Sequence, residues 1–379
     1  MDNPLKKFLD FKNFGFLKKD NSIVAIDFGS SSAKVVQLRK EKGRILLETY
    51  AELATGAYAE QAIGQASVLP QEKMVEVLTD LFREANITAK TACFSIPLRS
   101  SLLISLEIPN LGRSEIEKII PIEARKYIPV PISEVFLDWW MIPGGLPGDL
   151  PPGEGTDVTK PSEGQETIEA LVVAVHKDTI QQYKDVASKL NLAASLFEIE
   201  TFSSIRSSVS VDMKAKALID LGASSTKMAI VDYGVVRQSH TINKGAQDIT
   251  VDISRSLGIS FAKAEEIKRR VGLIPTIGED DLQKVVSPIV DYIFSEINSV
   301  ISSYQKKHSR AVDKIVLIGG GSMLKGLLDV ARNNVDVPVV LGQPFDKVEV
   351  PAFLQEVLVE EGPSFATAIG VAMRAAQEL

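Results

Sequence analysis

The sequence predicts an α/β protein with two duplicated α/β domains that flank a ligand cleft. A nine-residue segment, Ile26–Lys34, recurs half a chain later as Ile219–Lys227, with six of nine positions identical. Each copy follows one short apolar run and precedes another, which predicts a strand, a Gly/Ser turn and a second strand. A third turn, Gly319–Ser322, follows the apolar strand predicted at Val312–Ile318. We expect the tips of the two hairpins to converge on one ligand.

The composition limits the class of protein. With 379 residues, 45% hydrophobic and 24% charged, the chain is long enough for two globular domains. A net charge of −7 argues against a nucleic-acid binder, which usually carries a basic surplus. The single cysteine, Cys93, cannot form an intramolecular disulfide, and the three histidines lack metal-ligand spacing. The lone cysteine fits a reducing, cytoplasmic setting. No apolar run approaches the roughly 20 residues that span a bilayer, so we expect no transmembrane segment.

The first half of the chain contains three predicted regions. Residues 1–21 form a basic and aromatic N-terminal tail, either poorly ordered or a weak amphipathic contact for a membrane or partner. Residues 22–205 form the first domain, with a small α/β insert at about 93–175. Within the insert, residues 143–167 are rich in proline, glycine and acidic side chains, which predicts a flexible loop.

Periodicity predicts the elements of the first domain in chain order. Beyond the first hairpin, strands are predicted at Ile45–Leu53, Ala92–Ile96, Leu102–Ile108, Val135–Ile142, Glu169–Val175 and Leu196–Glu198. Helices are predicted at Pro70–Glu84 and Thr179–Leu190. Ser114 with Glu117 predicts a capping box for a further helix, which reaches Tyr127 and is kinked at Pro121.

The second domain is predicted at 206–362, with a helical insert at about 245–310. Its helices are predicted at Ala246–Leu257, Ser260–Val271 and Leu282–Gln305, and another is expected to begin at Met323 or Leu324. Residues 363–379 form a C-terminal helix that packs back on the first domain. Its small residues, among them Gly370, allow a close approach to other backbone.

The turn residues of both hairpins fit a phosphate chain. Tight Gly/Ser turns direct successive backbone amides and hydroxyls at one anion. The candidates are Gly29, Ser30, Ser31 and Ser32 in the first tip, and Gly222, Ser224, Ser225 and Thr226 in the second. Lys34, on the strand that leaves the first tip, is placed to neutralise phosphate charge.

Two carboxylates and a glycine turn complete the predicted site. Asp27 and Asp220 precede the tips and are the candidates for holding the hydration shell of Mg²⁺. Gly319, Gly320, Gly321 and Ser322 form a third nucleotide contact, through their backbone and the start of the following helix. Any one of these turns alone is more often structural. The ordered set of three favours a nucleotide site.

This set resembles the actin-like ATPase superfamily. The resemblance identifies Asp27–Lys34 and Asp220–Lys227 as the two phosphate motifs, Ile315–Gly326 as the adenosine motif and Pro363–Met373 as the second connecting helix. Ala264–Lys268 is similar to the family helix whose Glu and Lys contact the ribose and adenine. This similarity implies that Glu265 and Lys268 bind nucleotide, whereas without it a solvated charged helix face explains them.

Segments of the insert indicate which family within this superfamily the chain resembles. Ile122–Pro131, Val135–Trp139 and Leu171–Asp178, followed by Ala194–Glu200, resemble the PilM proteins of type IV pilus assembly, relatives of FtsA. The resemblance implies ATP and Mg²⁺ between the domains and a cytoplasmic protein recruited to the inner face of the cytoplasmic membrane. It also implies that a groove captures the N-terminal cytoplasmic peptide of a PilN-like inner-membrane protein. Phe136–Trp140 is one candidate for that groove, and buried core is the other interpretation of its tryptophans.

The resemblance leaves activity and further partners open. Glu200, in the segment that resembles the first connecting helix, is the candidate catalytic residue for positioning water, in at most a slow ATPase. Pilus assembly ATPase or platform proteins and self-association are further candidate contacts. The alternatives are a filament-forming protein like FtsA or MreB and a small-metabolite kinase of the same fold. A related secretion or competence system is also compatible with the sequence.

Overall fold

The computed structural model of the chain describes residues 21–142, 167–274 and 280–379. Its strands are β1 (Ser22–Phe28), β2 (Ser32–Glu41), β3 (Arg44–Ala54), β4 (Thr91–Ile96), β5 (Ser101–Pro109), β6 (Val135–Ile142), β7 (Thr167–His176), β8 (Ala193–Ile199), β9 (Ala215–Leu221), β10 (Thr226–Asp232), β11 (Val235–Ile242), β12 (Val312–Ile318) and β13 (Val339–Leu341). Its helices are α1 (Gln71–Glu84), α2 (Arg113–Ala124), α3 (Lys177–Lys189), α4 (Glu200–Ser208), α5 (Ala246–Leu257), α6 (Phe261–Val271), α7 (Asp280–His308), α8 (Leu327–Asn334), α9 (Gln355–Glu361) and α10 (Ala366–Glu378). Of the predicted tail and the predicted loop, only Asn21 and Thr167 are described, and the rest lies outside these ranges. Among the helices of the described ranges, none combines the length and apolar content needed to cross a membrane.

Two five-stranded sheets with one topology form the cores of the two halves. The first has the strand order β3-β2-β1-β4-β8, and the second has the order β11-β10-β9-β12-β13. In each sheet the central strand, β1 or β9, runs antiparallel to the next strand and parallel to β4 or β12. Both central strands are nearly continuous apolar runs, as expected where both faces of a sheet are covered. The predicted duplication is therefore confirmed at the level of topology.

A three-stranded antiparallel sheet of order β5-β7-β6 forms the insert, together with α2. Ile116 of α2 and Ile108 of β5 belong to its separate apolar cluster. The predicted start of the insert at residue 93 falls inside β4, which pairs with β1 and β8 and so belongs to the first sheet. The three-stranded sheet begins later, at Ser101, because the apolar run of β4 is that of a central parallel strand.

The predicted capping box of Ser114 is wrong. The N-cap residue of α2 is Gly112, and no side chain caps this end of the helix. The carbonyl of Gly112 accepts a hydrogen bond from the amide of Ile116 at 3.0 Å, so Ser114 already lies inside the first turn. The helix also ends at Ala124 rather than at Tyr127. There the amide of Tyr127 bonds to the carbonyl of Ala124, only three residues back, at 3.0 Å.

Helices α4 and α10 pack against each other and join the two halves. A Cβ atom on Gly370 would lie 1.8 Å from the carbonyl oxygen of Ser203, so the two helix backbones meet at this glycine. Ile369 of α10 belongs to the apolar core of the first half. Ala366 packs with Leu218 of the second sheet in another apolar cluster. The close packing predicted for the small-residue C-terminal helix is therefore present.

A buried carboxylate lies where β8, α4 and α10 meet. Glu198 accepts hydrogen bonds from Arg206 at 2.6 Å, from Arg374 at 2.8 Å and from Ser203 at 2.6 Å. Burial by itself raises the pKa of Glu198, but the two guanidinium groups outweigh it and hold that pKa below its ordinary value. The ion pairs therefore contribute stability above the ordinary carboxyl pKa, and this contribution is lost as the pH falls through the lowered pKa.

We expect Gly370→Ala to destabilise the protein by about 3 kcal/mol, because the added Cβ meets a backbone carbonyl that cannot rotate away. The matched control is Gly320→Ala, where an added Cβ meets nothing within 4 Å. Urea unfolding followed by circular dichroism measures both variants. Equal stability of Gly370→Ala and the parent protein would contradict the close packing of α4 on α10.

Candidate functional site

The two repeated hairpins place the same pair of charges at their tips. Asp27 lies opposite Lys34 in the β1–β2 ladder, and Asp220 lies opposite Lys227 in the β9–β10 ladder. Opposed residues of an antiparallel pair project from the same face. Each hairpin therefore brings a carboxylate and an ammonium group together immediately beside its Gly/Ser turn.

A third carboxylate joins the second tip. Glu200 is the first residue of α4, and its Oε2 accepts a hydrogen bond from Lys227 Nζ at 2.7 Å. Its Oε1 accepts one from the backbone amide of Leu98 at 2.5 Å. Lys227 Nζ also lies 3.5 Å from Asp220 Oδ2. Glu200, Lys227 and Asp220 thus form one ion-pair cluster, and all three line a narrow cavity between α4 and the second sheet.

A serine on the neighbouring strand β4 holds the carboxylate of the first tip. Ser95 of β4, a buried residue, donates a hydrogen bond from its hydroxyl to Asp27 Oδ1 at 2.5 Å. Burial raises the pKa of Asp27 above its ordinary value, although the charge of Lys34 and the bond from Ser95 oppose the shift. The charges of Glu200 and Lys227 also act on Asp27. The first tip therefore lies within electrostatic reach of the cluster at the second tip.

At the second tip, as at the first, burial raises the pKa of the aspartate and lysine charges oppose the shift. Burial raises the pKa of Asp220, while Lys227 and the more distant Lys34 oppose the shift. For Lys227, burial alone would lower the pKa, but the charges of Glu200 and Asp220 prevail and raise it. Glu200 bonds both to Lys227 of the second tip and to the backbone that follows β4, the strand whose Ser95 holds Asp27, so the two tips lie close together. We call Asp27, Asp220, Glu200 and Lys227 the cleft cluster.

The glycine turn after β12 packs directly on the second hairpin. A Cβ atom on Gly319 would lie 2.3 Å from Asp220 Oδ1, and Gly319 has a positive φ of 84°. A Cβ atom on Gly320 would meet nothing within 4 Å. Gly321 lies against Leu221, and the hydroxyl of Ser322 donates to the carbonyl of Gly319 at 2.7 Å. The turn thus offers backbone at Gly320, while the Ser322 hydroxyl serves the turn itself.

The helix predicted directly after this turn is displaced. Gly320–Met323 form a single 3₁₀ turn, and α8 begins only at Leu327. Gly326, with a positive φ of 80°, is the N-cap residue and redirects the chain before the helix starts. The prediction that the helix begins at Met323 or Leu324 is therefore wrong.

The hydroxyls of the two tips differ in their exposure. Ser30, Ser31, Ser224 and Ser225 are half-buried, and Gly29 is exposed. Ser32 is buried and accepts a hydrogen bond from Lys34 Nζ at 2.9 Å. Thr226 is fully buried, and its hydroxyl donates to the carbonyl of Lys244 at 2.8 Å. The hydroxyl of Thr226 thus already has a backbone partner, and the backbone of Thr226 remains the candidate contact at the tip.

Glu265 and Lys268 lie on one face of α6, as their spacing predicts, and form an ion pair of 2.7 Å. Both are buried, which excludes the solvated-face interpretation. Glu265 also accepts from the hydroxyl of Thr250 at 2.6 Å. A Cβ atom on Gly64 would lie 2.6 Å from the Glu265 carboxylate carbon. The loop between β3 and α1, from the first half, therefore lies directly against this pair of the second half.

Sequence reasoning missed two side chains of the site. Lys227 occupies the position of Lys34 in the repeated segment, and the repeat itself was a sufficient signal for including it. Ser95 reaches Asp27 only because β4 lies beside β1, and no motif surrounds it in the sequence.

The carboxylates fit a hydrated magnesium ion better than a directly ligated one. Within the described ranges, no three His, Cys, Asp or Glu side chains lie close enough together to hold a metal ion. Mg²⁺ in phosphate sites usually keeps several waters and needs only one or two carboxylates. Asp27 and Asp220, one at each tip, supply that number.

Two like sheets with paired hairpin tips at their junction define the actin-like ATPase fold. The solved structure of MreB 5 of Spiroplasma citri bound to AMPPNP shares it, with a TM-score of 0.52 and 10% identity over 95% of this chain and 98% of that one. The model of the family "Type IV pilus assembly protein PilM" matches residues 25–376. This chain belongs to that family.

Two further comparisons agree with the family. The solved PilM–PilN type IV pilus biogenesis complex is similar with a TM-score of 0.75 and 21% identity, over 95% of this chain and 99% of that one. The cell division protein FtsA of Rhizobium meliloti (strain 1021) is 29% identical over 178 residues, which cover 41% of this chain and 39% of FtsA. The match thus spans less than half of that relative's length.

We expect Gly319→Ala to destabilise the protein by about 2 kcal/mol or more and to displace Asp220, because its Cβ meets the carboxylate and φ is positive. Gly320→Ala, one residue later in the same turn, is the control and should leave stability nearly unchanged. Thermal unfolding of both variants measures the difference. Similar losses in both would show that Gly319 does not lie against Asp220.

We expect Asp27→Asn to stabilise the protein at pH 7 by about 0.5–2 kcal/mol, since the substitution removes a half-buried charge whose pKa burial raises. The folded-state pKa of Asp27 is raised, so the parent loses stability as the pH rises above the ordinary value of 3.8, and the variant lacks this loss. Urea unfolding between pH 4 and pH 8 tests both the stabilisation and its pH dependence. The exposed Asp329→Asn variant is the control. Parallel pH profiles of parent and Asp27→Asn would refute the assignment.

Proposed function

We propose that the protein is a nucleotide-dependent adaptor of a type IV pilus assembly complex. It binds Mg²⁺ and ATP between its two halves and the N-terminal cytoplasmic peptide of a PilN-like inner-membrane protein. The observation that supports the nucleotide part is that hydrogen bonds and ion pairs bring the two repeated hairpin tips together at the cleft cluster. The family match over residues 25–376 supports the pilus role.

The tips supply the groups that a triphosphate needs. The half-buried hydroxyls of Ser30, Ser31, Ser224 and Ser225, with the amides around Gly29 and Gly222, face the anion. Lys34 neutralises part of its charge. Asp27 and Asp220 hold the waters of Mg²⁺, which supplies further charge neutralisation when bound. Gly319, Gly320 and Gly321 approach the nucleotide through their backbone, and Glu265 and Lys268 contact the ribose and adenine. The AMPPNP named with MreB 5 supports this assignment.

The insert supplies an edge for the peptide. Strand β6 is an outer strand of the three-stranded sheet, and within the described ranges no strand pairs with its other side. An extended peptide can add to such an edge through its backbone. Trp140 packs against Phe202 of α4 with ring centroids 5.1 Å apart and is buried, in agreement with the core interpretation. Trp139 and Phe136 are half-buried and remain candidate contacts.

The proposed PilN-like partner explains the cellular location of the protein. A cytoplasmic protein bound to the tail of an inner-membrane protein is recruited to the inner face of the cytoplasmic membrane. Contacts with a pilus assembly ATPase or platform proteins, and self-association, belong to the same proposal. Glu200 positions the attacking water in hydrolysis, which is slow.

Binding of Mg²⁺·ATP and of a synthetic peptide from the cytoplasmic N-terminus of a PilN-like protein tests the proposal by isothermal titration calorimetry. We expect both to bind the full chain, with weaker nucleotide binding by Asp220→Asn and no binding of a scrambled peptide. Absence of ATP binding would refute the nucleotide role, and absence of peptide binding with ATP present would refute the adaptor role. Sedimentation with ATP alone would favour the filament alternative, and phosphorylation within a metabolite panel would favour a kinase.

A further inference from the structure

An ion pair links the second hairpin to the start of α4 inside the cleft. Lys227, on β10 of the second half, reaches Glu200, the first residue of α4. The side chains are 23% and 10% exposed, so water screens the attraction only in part. Since Glu200 also accepts from the backbone amide of Leu98, both of its carboxylate oxygens are engaged.

The equivalent lysine of the first hairpin behaves differently. Lys34 stays within its own half, where it pairs with Glu52 at 3.0 Å and donates to Ser32. Because the two hairpins share their fold and register, the hairpin alone does not require the lysine to cross the cleft. The crossing of Lys227 is therefore a particular feature of the second tip, and its target is Glu200.

Glu200, the ion-pair partner of Lys227, is the residue proposed to position the attacking water. A group in this role must direct a free lone pair at the water that attacks the γ-phosphorus. The Leu98 amide belongs to the backbone and holds one oxygen of Glu200 in place. The Lys227 ammonium holds the other and competes with water for its lone pairs.

The geometry points to Lys227 as a positioning residue that restrains Glu200, which keeps hydrolysis slow and ties the two halves together across the cleft. This inference rests on the proposed function. In the restrained step, the oxygen of one water bonds to the γ-phosphorus and the bond from that phosphorus to the β–γ bridging oxygen breaks. ADP leaves with the electron pair of that bond. The proton of the water passes to the Glu200 carboxylate and then to solvent.

The test compares variants of the full chain at saturating Mg²⁺·ATP. Lys227→Met should raise the rate of phosphate release at least about tenfold, because a freed general base contributes on that scale or above it. Lys227→Gln should act in the same direction, so the outcome does not depend on the folding of one variant. Lys227→Arg keeps the positive charge and should raise the rate less than either neutral variant. Exposed Lys214→Met is the control and should leave the rate unchanged.

Two further readouts separate restraint from a general structural effect. The gain in Lys227→Met should disappear in the double variant with Glu200→Gln. Independently of turnover, a fluorescent ADP analogue should dissociate faster from Lys227→Met than from the parent, because the tie across the cleft is lost.

Each contrary result has a distinct meaning. A lower rate with weaker ATP binding in both neutral variants would make Lys227 a phosphate ligand and overturn the restraint. Unchanged rates with intact ATP binding would overturn the restraint alone and leave the proposed function standing. If the parent protein does not bind Mg²⁺·ATP, both the proposed function and this inference fail.

Discussion

The close approach of α4 and α10 at Gly370 is the constraint on which the rest of the structure depends. Without a Cβ at this position, the carbonyl of Ser203 can lie against the helix, and the two helices form one unit between the sheets. Arg206 and Arg374, one from each helix, then meet the buried Glu198. Since α4 begins at Glu200, the same packing determines where the carboxylate of the cleft cluster lies. The packing of α10 on the first turn of α4 thus sets the geometry of the site.

The cleft concentrates charge that folding alone does not favour. Burial raises the pKa of both Asp27 and Asp220, which means that their ionised forms are less stable in the folded protein than in water. Lysines offset this in different ways, Lys34 beside the first tip and Lys227 across the second. Ion pairs of Lys227 with Glu200 and Asp220 therefore hold the second side of the cleft. In the proposed function, these are the contacts that a hydrated divalent cation and a phosphate chain rearrange.

Much of the architecture was predictable because local patterns determine it. The repeated Asp-x-Gly segments identify both hairpins, and apolar periodicity locates the central strands and α1 within a few residues. Predictions of helix starts failed where the sequence allows two alternative N-terminal residues for the same helix. Ser114 had the capping pattern, but Gly112 took the N-cap, and Gly326 delayed the helix expected at Met323 or Leu324. The start of the insert was misplaced because β4 resembles any other short apolar run until its neighbours β1 and β8 are known.

The sequence by itself determined the duplicated fold, the two aspartates with their glycine turns and the family, since repeats, periodicity and motifs are properties of neighbouring residues. Only the tertiary structure decided how these groups are used. It paired the hydroxyl of Thr226 with the carbonyl of Lys244 and brought Ser95 to Asp27. It also paired Lys227 with Glu200, in contrast to Lys34. These contacts join residues distant in the chain, and the packing of strands and helices in space, rather than local spacing, sets which side chains meet.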